Sequence, residues 1–221
     1  MTYTVYGAMG SGSVPVEAAL TLIGAPYTVI EAVTWEGDAE RDKVAPVNPM
    51  RQIPALITPP DSSGKRETIT ESAAILIWLA EQHPEAALAP EPCDPRRAQF
   101  LRWMTFVPAA VYSMFWVRDE PSRLAGDDPA TQQTIKVRTA ERIAECWAAM
   151  ESQITPGRFL LGAELTVLDL YVSVASRWTP HRKQFHEVAP RMGEVMRRVD
   201  ALPELTTFWA ERFPLVGRYG S

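Results

Sequence analysis

Residues 7–13, Gly-Ala-Met-Gly-Ser-Gly-Ser, set the hydroxyls of Ser11 and Ser13 in a glycine loop. The loop follows a β-forming run at 3–6 (YTVY) and precedes an apolar helical stretch at Val14–Ile23. A loop that feeds a helix N-terminus offers free backbone N–H groups, which favour an anion or a thiolate. A second polar group lies at Thr70-Glu71-Ser72, at the start of another helical stretch. Thr70 or Ser72 can serve there as a plain cap. Ser72 with the free N–H groups can equally bind a carboxylate while Glu71 pairs with an ammonium, the two charges of an α-amino-acid headgroup. Between these sites, Asn48-Pro49-Met50-Arg51-Gln52-Ile53-Pro54-Ala55-Leu56 puts a proline at the start of a strand. Such a proline belongs at an edge or a special bond. A cis Ile53–Pro54 bond would turn the Ile53 N–H and C=O outward, where they could pair with a ligand's peptide backbone.

Other chemistries lack their parts. Gly7-x-x-Gly10-x-Gly12, with Glu31 ending the second β-like run, has the ingredients of a dinucleotide site. Its spacing departs from the usual fingerprint, however, and the further β-α units of a doubly wound sheet are missing. His83, His181 and His186 are scattered without ligand spacing, so no metal site is expected. No Gly-x-Ser-x-Gly elbow occurs. Lys plus Arg is 22 against 27 Asp plus Glu, a net charge of −5 without a basic run, which argues against nucleic acid. The apolar stretch at 167–175 is shorter than the ~20 residues of a membrane span, and the N-terminus MTYTVYG lacks the pattern of a signal peptide. Two cysteines, Cys93 and Cys146, cannot staple 221 residues. A soluble, cytoplasmic protein with no membrane partner is expected.

The elements that must position these groups fall into two halves. The first reads as a strand at 3–6, a helix at Val14–Ile23 closed by Gly24, and a strand at 27–30. An irregular proline-broken stretch follows, then short strands at Ala55–Ile57 and 67–70 joined by the turn Asp61-Ser62-Ser63-Gly64, and a helix at Ser72–Gln82. Beyond the proline-rich stretch 84–95 the β signals stop. Phe100, Trp103, Met104 and Val107 make one helical face; Ile143, Trp147, Met150 and Ile154 make another; Met192, Val195, Met196 and Val199 make a third. Thr166-x-x-Asp169, flanked by Leu165 and Leu170, is a capping box before a helix apolar enough to run through a bundle centre.

These pieces resemble the glutathione transferase superfamily over nearly the whole chain. NPMRQIPAL (48–56) is similar to the family's Asn-Pro…Val-Pro-Ala-Leu strand with its cis-proline. TESAAILIWLAEQHP (70–84) is similar to its Glu-Ser helix, and FLLGAELTVLDLY (159–171) to the core helix of its second domain. The resemblance implies an α/β plus all-α protein: a thioredoxin-like domain (β-α-β-α-β-β-α) at 1–84, a linker at 85–95 and an all-helical domain at 96–221. It implies glutathione as co-substrate, with Gln52 and the Ile53 backbone beside Pro54 holding the cysteinyl and glycyl parts. Glu71 and Ser72 would hold the γ-glutamyl headgroup. It also implies a detoxifying enzyme and a homodimer, the first domain of one subunit against the second domain of the other.

The pattern is nearest the bacterial beta class, and the ungapped match of VYGAMGSGSVPVEAALTLIGAPY places Gly12 where that class keeps a cysteine. Ser11 matches the catalytic serine of serine-type classes, Ser13 is a neighbouring hydroxyl suited to capping the next helix, and Tyr6 lies near the phenol of tyrosine-type members. The expectation is a transferase in which Ser11 stabilises the glutathione thiolate for attack on a small hydrophobic electrophile. Met9, Tyr112, Phe115 and Trp116 are candidates for that compound's pocket, or for core. A glutathione-dependent reductase or isomerase, and a non-catalytic glutathione-binding protein, are the alternatives.

Overall fold

In the computed structural model, which describes residues 2–179 and 182–214, the chain begins with strand β1, Tyr3–Gly7. His181 lies outside the described residues. Burial alternates along β1, with Tyr3, Val5 and Gly7 facing inward, as the period of a half-buried strand requires. Helix α1, Val14–Ile23, carries Pro15 in its first turn and stops at Gly24, whose φ of 73° suits a residue without a Cβ. Strand β2, Tyr27–Glu31, lies parallel to β1, with Tyr3 beside Tyr27 and Gly7 beside Glu31.

Helix α2, Asp38–Val44, occupies part of the stretch whose residues read as irregular. Only Val44 of its seven residues is buried, so it has no apolar stripe for periodicity to detect. Strands β3, Ala55–Ile57, and β4, Thr68–Thr70, form the expected hairpin, with Leu56 opposite Ile69. β3 also runs antiparallel to β1, giving the sheet order β2-β1-β3-β4. Helix α3, Ser72–Gln82, packs Ile75, Leu76 and Leu79 into the core.

From there on the named elements are helical: α4 Arg97–Phe106, a wide turn at Val107–Tyr112, α5 Ser113–Asp119, α6 Ser122–Ala125 and α7 Pro129–Gln153. They continue with α8 Val167–Arg177, α9 Lys183–Val188, α10 Pro190–Asp200 and α11 Thr206–Arg212. The three apolar faces read from spacing are all buried. Every residue of α8 is buried. The capping box before it forms: Asp169 accepts from Thr166 N–H at 2.9 Å and from Thr166 Oγ1 at 2.9 Å, and also from Leu160 N–H at 2.8 Å. No described helix is long and apolar enough to cross a membrane. This architecture is the thioredoxin-like domain followed by a helical domain.

Candidate active site

A cleft of about 310 Å³ lies between the two halves. The sheet half lines it with Asn48, Gln52, Ile53, Pro54, Glu71 and Ser72, the helical half with Pro108, Tyr112, Ser113, Trp116 and Tyr171.

On the sheet side, the Ile53–Pro54 bond is cis, as the position of the proline before β3 suggested. Asn48 fixes the segment leading to it: its Nδ2 donates to the Gln52 carbonyl at 2.8 Å, and its Oδ1 accepts from Met50 N–H at 3.0 Å. Glu71 stands in the turn from β4 into α3 with φ 66°, a conformation unusual for a side-chain-bearing residue and concentrated at functional sites. Ser72 is buried and makes no capping bond. Its Oγ instead donates to Tyr171 Oη at 3.1 Å.

On the helical side, Pro108 lies in the wide turn at Val107–Tyr112. Proline has no N–H to give to the carbonyl four residues back, and its ring crowds that carbonyl, so the α pattern must open there. Tyr112 and Trp116, four residues apart on one helical face, both reach the cleft. Phe115, turned about 100° from Trp116, does not line it. It is 2% exposed and packs its ring edge against Trp178 at 5.2 Å. Burial holds the phenols of Tyr112 and Tyr171 well above the usual 10.0, and the Glu71 charge adds to the effect on Tyr112.

The glycine loop forms a tight polar knot. Ser11 Oγ accepts from Ala8 N–H at 3.3 Å and Ser13 N–H at 3.1 Å, and lies 2.9 Å from Ser13 Oγ. Ser13 Oγ donates to Glu17 at 2.6 Å and makes no helix-capping bond, which corrects its expected role. A Cβ at Gly7 would lie 2.2 Å from Ser13 Oγ, so the knot closes only over glycine. Glu17 is fully buried, and Arg212 of α11 pairs with it at 2.6 Å and with Glu31 at 2.6 Å. The acid that a nucleotide reading would use is thus tied to an arginine. Trp178 Nε1 donates to the Gly10 carbonyl at 2.8 Å, joining the loop to the helical half. Met9 projects from the loop, 54% exposed and outside the cleft lining, and Ser11 is outside that lining too. Tyr6, half-buried in β1, pairs in register with Ile30 and Ala55.

A family model, the glutathione S-transferase N-terminal domain, matches residues 13–82. The uncharacterized GST-like protein YncG of Escherichia coli K12 is 30% identical over 202 residues, 91% of this chain and 94% of that protein. This chain belongs to the glutathione S-transferase superfamily. A maleylpyruvate isomerase of a Ralstonia species is 33% identical over 79 residues, 36% of this chain and 34% of that protein. A Sulfitobacter glutathione transferase homologue, solved with bound glutathione, shares the fold: TM-score 0.80 at 22% identity, over 95% of this chain and 98% of that one.

Within this superfamily member the cleft gathers Gln52, Ile53, Pro54, Glu71, Ser72, Tyr112 and Trp116 of the residues singled out from sequence. It leaves Ser11, Met9 and Phe115 outside the lining. Asn48, Pro108, Ser113 and Tyr171 were not singled out as site residues. The signal for Pro108 was a proline inside an apolar helical pattern; Tyr171, 1% exposed on α8, carried only the signal of core. Cys146 is buried, its thiol donating to the Ala110 carbonyl at 3.4 Å and pushed up in pKa by burial, while Cys93 is an exposed free thiol. Among the described residues, no three His, Cys, Asp or Glu side chains gather as metal ligands.

Proposed function

We propose that the protein is a glutathione transferase that binds glutathione in the inter-domain cleft, holds its sulfur as the thiolate and joins that sulfur to an electrophilic carbon of a hydrophobic compound. Residues 1–84 supply the glutathione site and residues 96–221 the wall facing it, with 85–95 as linker. The observation that carries this reading is the convergence of Glu71, Ser72, Gln52 and Ile53 with Pro108, Tyr112 and Trp116 in one cleft. Glu71 suits the ammonium of the γ-glutamyl headgroup, Ser72 and the start of α3 its carboxylate, and Gln52 with the Ile53 backbone the rest of the tripeptide. Trp116 and Pro108 offer apolar surface with no specific polar reader, which suits a hydrophobic partner.

Lowering a thiol pKa by about two units takes about 2.7 kcal/mol of preference for the anion, within reach of a hydroxyl donor near a helix N-terminus. Ser11 is the loop hydroxyl we assign to the sulfur. Its proton can leave Ser13 Oγ for a thiolate because Ser13 Oγ still accepts from Ala8 N–H at 3.2 Å. Ultraviolet difference absorbance of bound glutathione across pH tests the reading. A thiol titrating well below free glutathione, and raised in Ser11→Ala but not in Ser13→Ala or Tyr6→Phe, is expected. Binding with an unshifted thiol would make the protein a non-catalytic glutathione binder, and no binding would overturn the reading.

The identity to a maleylpyruvate isomerase favours a second reading, a glutathione-dependent isomerase, with disulfide reduction by glutathione itself as a related chemistry. Faster turnover of maleylpyruvate or a disulfide than of an aryl halide would select it. We also propose a homodimer, so sedimentation should give twice the 24.6 kDa chain mass; a single-chain mass at micromolar concentration would exclude it.

A further inference from the structure

The helical half presses one phenol against the glycine loop at Gly12. A Cβ built on Gly12 would lie 2.3 Å from Tyr112 Oη and 3.1 Å from two atoms of its ring, so the phenol fills the space where a side chain at position 12 would stand. The same phenol lines the cleft with Glu71 and Ser72. Trp178 holds both parties: its ring meets Tyr112 edge-on at 4.6 Å and its Nε1 donates to the Gly10 carbonyl. Among the described residues the Tyr112 hydroxyl makes no hydrogen bond. The Ser11 proton, by contrast, has an acceptor 2.9 Å away in Ser13 Oγ.

We propose that Tyr112, from the helical domain, donates a hydrogen bond directly to the sulfur of bound glutathione, as a second donor facing the Ser11 loop. The inference rests on the cleft being the glutathione site. Ile53, Glu71, Ser72 and Tyr112 line the same cleft, so with the headgroup at Glu71–Ser72 and the cysteinyl backbone at Ile53 the sulfur would lie on the cleft side of the phenol. Burial, with Glu71 nearby, keeps Tyr112 protonated, so it acts as a donor and not as a base. A neutral donor stabilises an anion without adding a charge that the cleft must desolvate.

The test uses Tyr112→Phe in the full-length chain, with glutathione and S-methylglutathione as probes. Calorimetry on the unaltered protein comes first: if glutathione does not bind, the glutathione reading of the cleft fails and the donor role falls with it. If it binds, the bound thiol's pKa in Tyr112→Phe should rise by about one unit, about tenfold less thiolate at a pH below it. Affinity for S-methylglutathione, whose sulfur cannot become an anion, should stay the same. An unchanged thiol pKa in Tyr112→Phe would overturn the proposal, and equal loss of affinity for both probes would reduce Tyr112 to shaping the cleft. Replacing Tyr112 by 3-fluorotyrosine keeps the ring and strengthens the donor. It should lower the bound thiol's pKa, and a rise or no change would count against the role.

Discussion

Ser72 Oγ, at the first position of α3, donates to Tyr171 Oη in the centre of α8 at 3.1 Å, across 99 positions of chain. The Glu71–Ser72 end of the cleft is therefore braced by the core helix of the other domain. Tyr171→Phe would leave the buried Ser72 hydroxyl without its acceptor and should cost about 1–3 kcal/mol in urea unfolding. In a Ser72→Ala background the same change should cost clearly less. Equal costs in both backgrounds would mean that the bond contributes nothing.

Glu71 is the only carboxylate lining the cleft as described. Glu71→Gln keeps its size and removes its charge, so glutathione affinity should fall by about 1–3 kcal/mol with the fold unchanged. Calorimetry of the two proteins decides; equal affinities would take Glu71 out of the anchor.

Gly12 and Tyr112 should be coupled energetically. Gly12→Ala forces a Cβ onto the phenol and should destabilise by about 1–3 kcal/mol. Removing the oxygen with Tyr112→Phe eliminates the 2.3 Å approach and leaves only the contacts at 3.1 Å, so the double variant should recover part of the loss. Additive melting-point changes would show that the two do not touch. By the same geometry, Gly12→Cys alone should fail to form a mixed disulfide with glutathione until Tyr112 is made smaller.

Burial lifts the Asp169 carboxyl from its ordinary 3.8 to about 6, against the three hydrogen bonds it accepts. The folded chain then holds this proton more tightly than the unfolded chain does. The stability contributed is whole below about 3.8 and is lost as pH rises through about 6. Thermal unfolding of the unaltered protein should therefore lose ground relative to Asp169→Asn across that window. Parallel curves for the two would show that Asp169 does not titrate there.

Where local signals are strong, sequence and structure agree to within one residue. α1 runs Val14–Ile23 with Pro15 in its first turn and Gly24 at its end, α3 begins at the hydroxyl after Glu71, and the hairpin β3–β4 follows from the turn at 61–64. α2 was legible only through the family resemblance, because one buried valine makes no stripe. Ser13 looked like a cap because a hydroxyl before a helix usually is one, yet Glu17 one turn on is a stronger acceptor for it. Tyr171 was hidden by its neighbours: the apolar residues around it on α8 read as core, and its hydroxyl ties it to Ser72 in the cleft lining. The placement of Phe115 and Trp116 depended on how far the turn at Pro108 opens, which spacing does not reveal.

Arg212 closes the first loop of the chain from the last described helix: its carbonyl accepts Gly10 N–H at 2.9 Å and its guanidinium neutralises the buried Glu17. During synthesis Glu17 leaves the ribosome 195 residues before its counter-charge. A nascent chain that has already made its sheet still carries Glu17 without its cation, and burying an unpaired carboxylate is unfavourable. The order of translation thus leaves the loop unfinished until Arg212 has been made, so a product terminated before that residue would lack the cation that pairs with the buried Glu17.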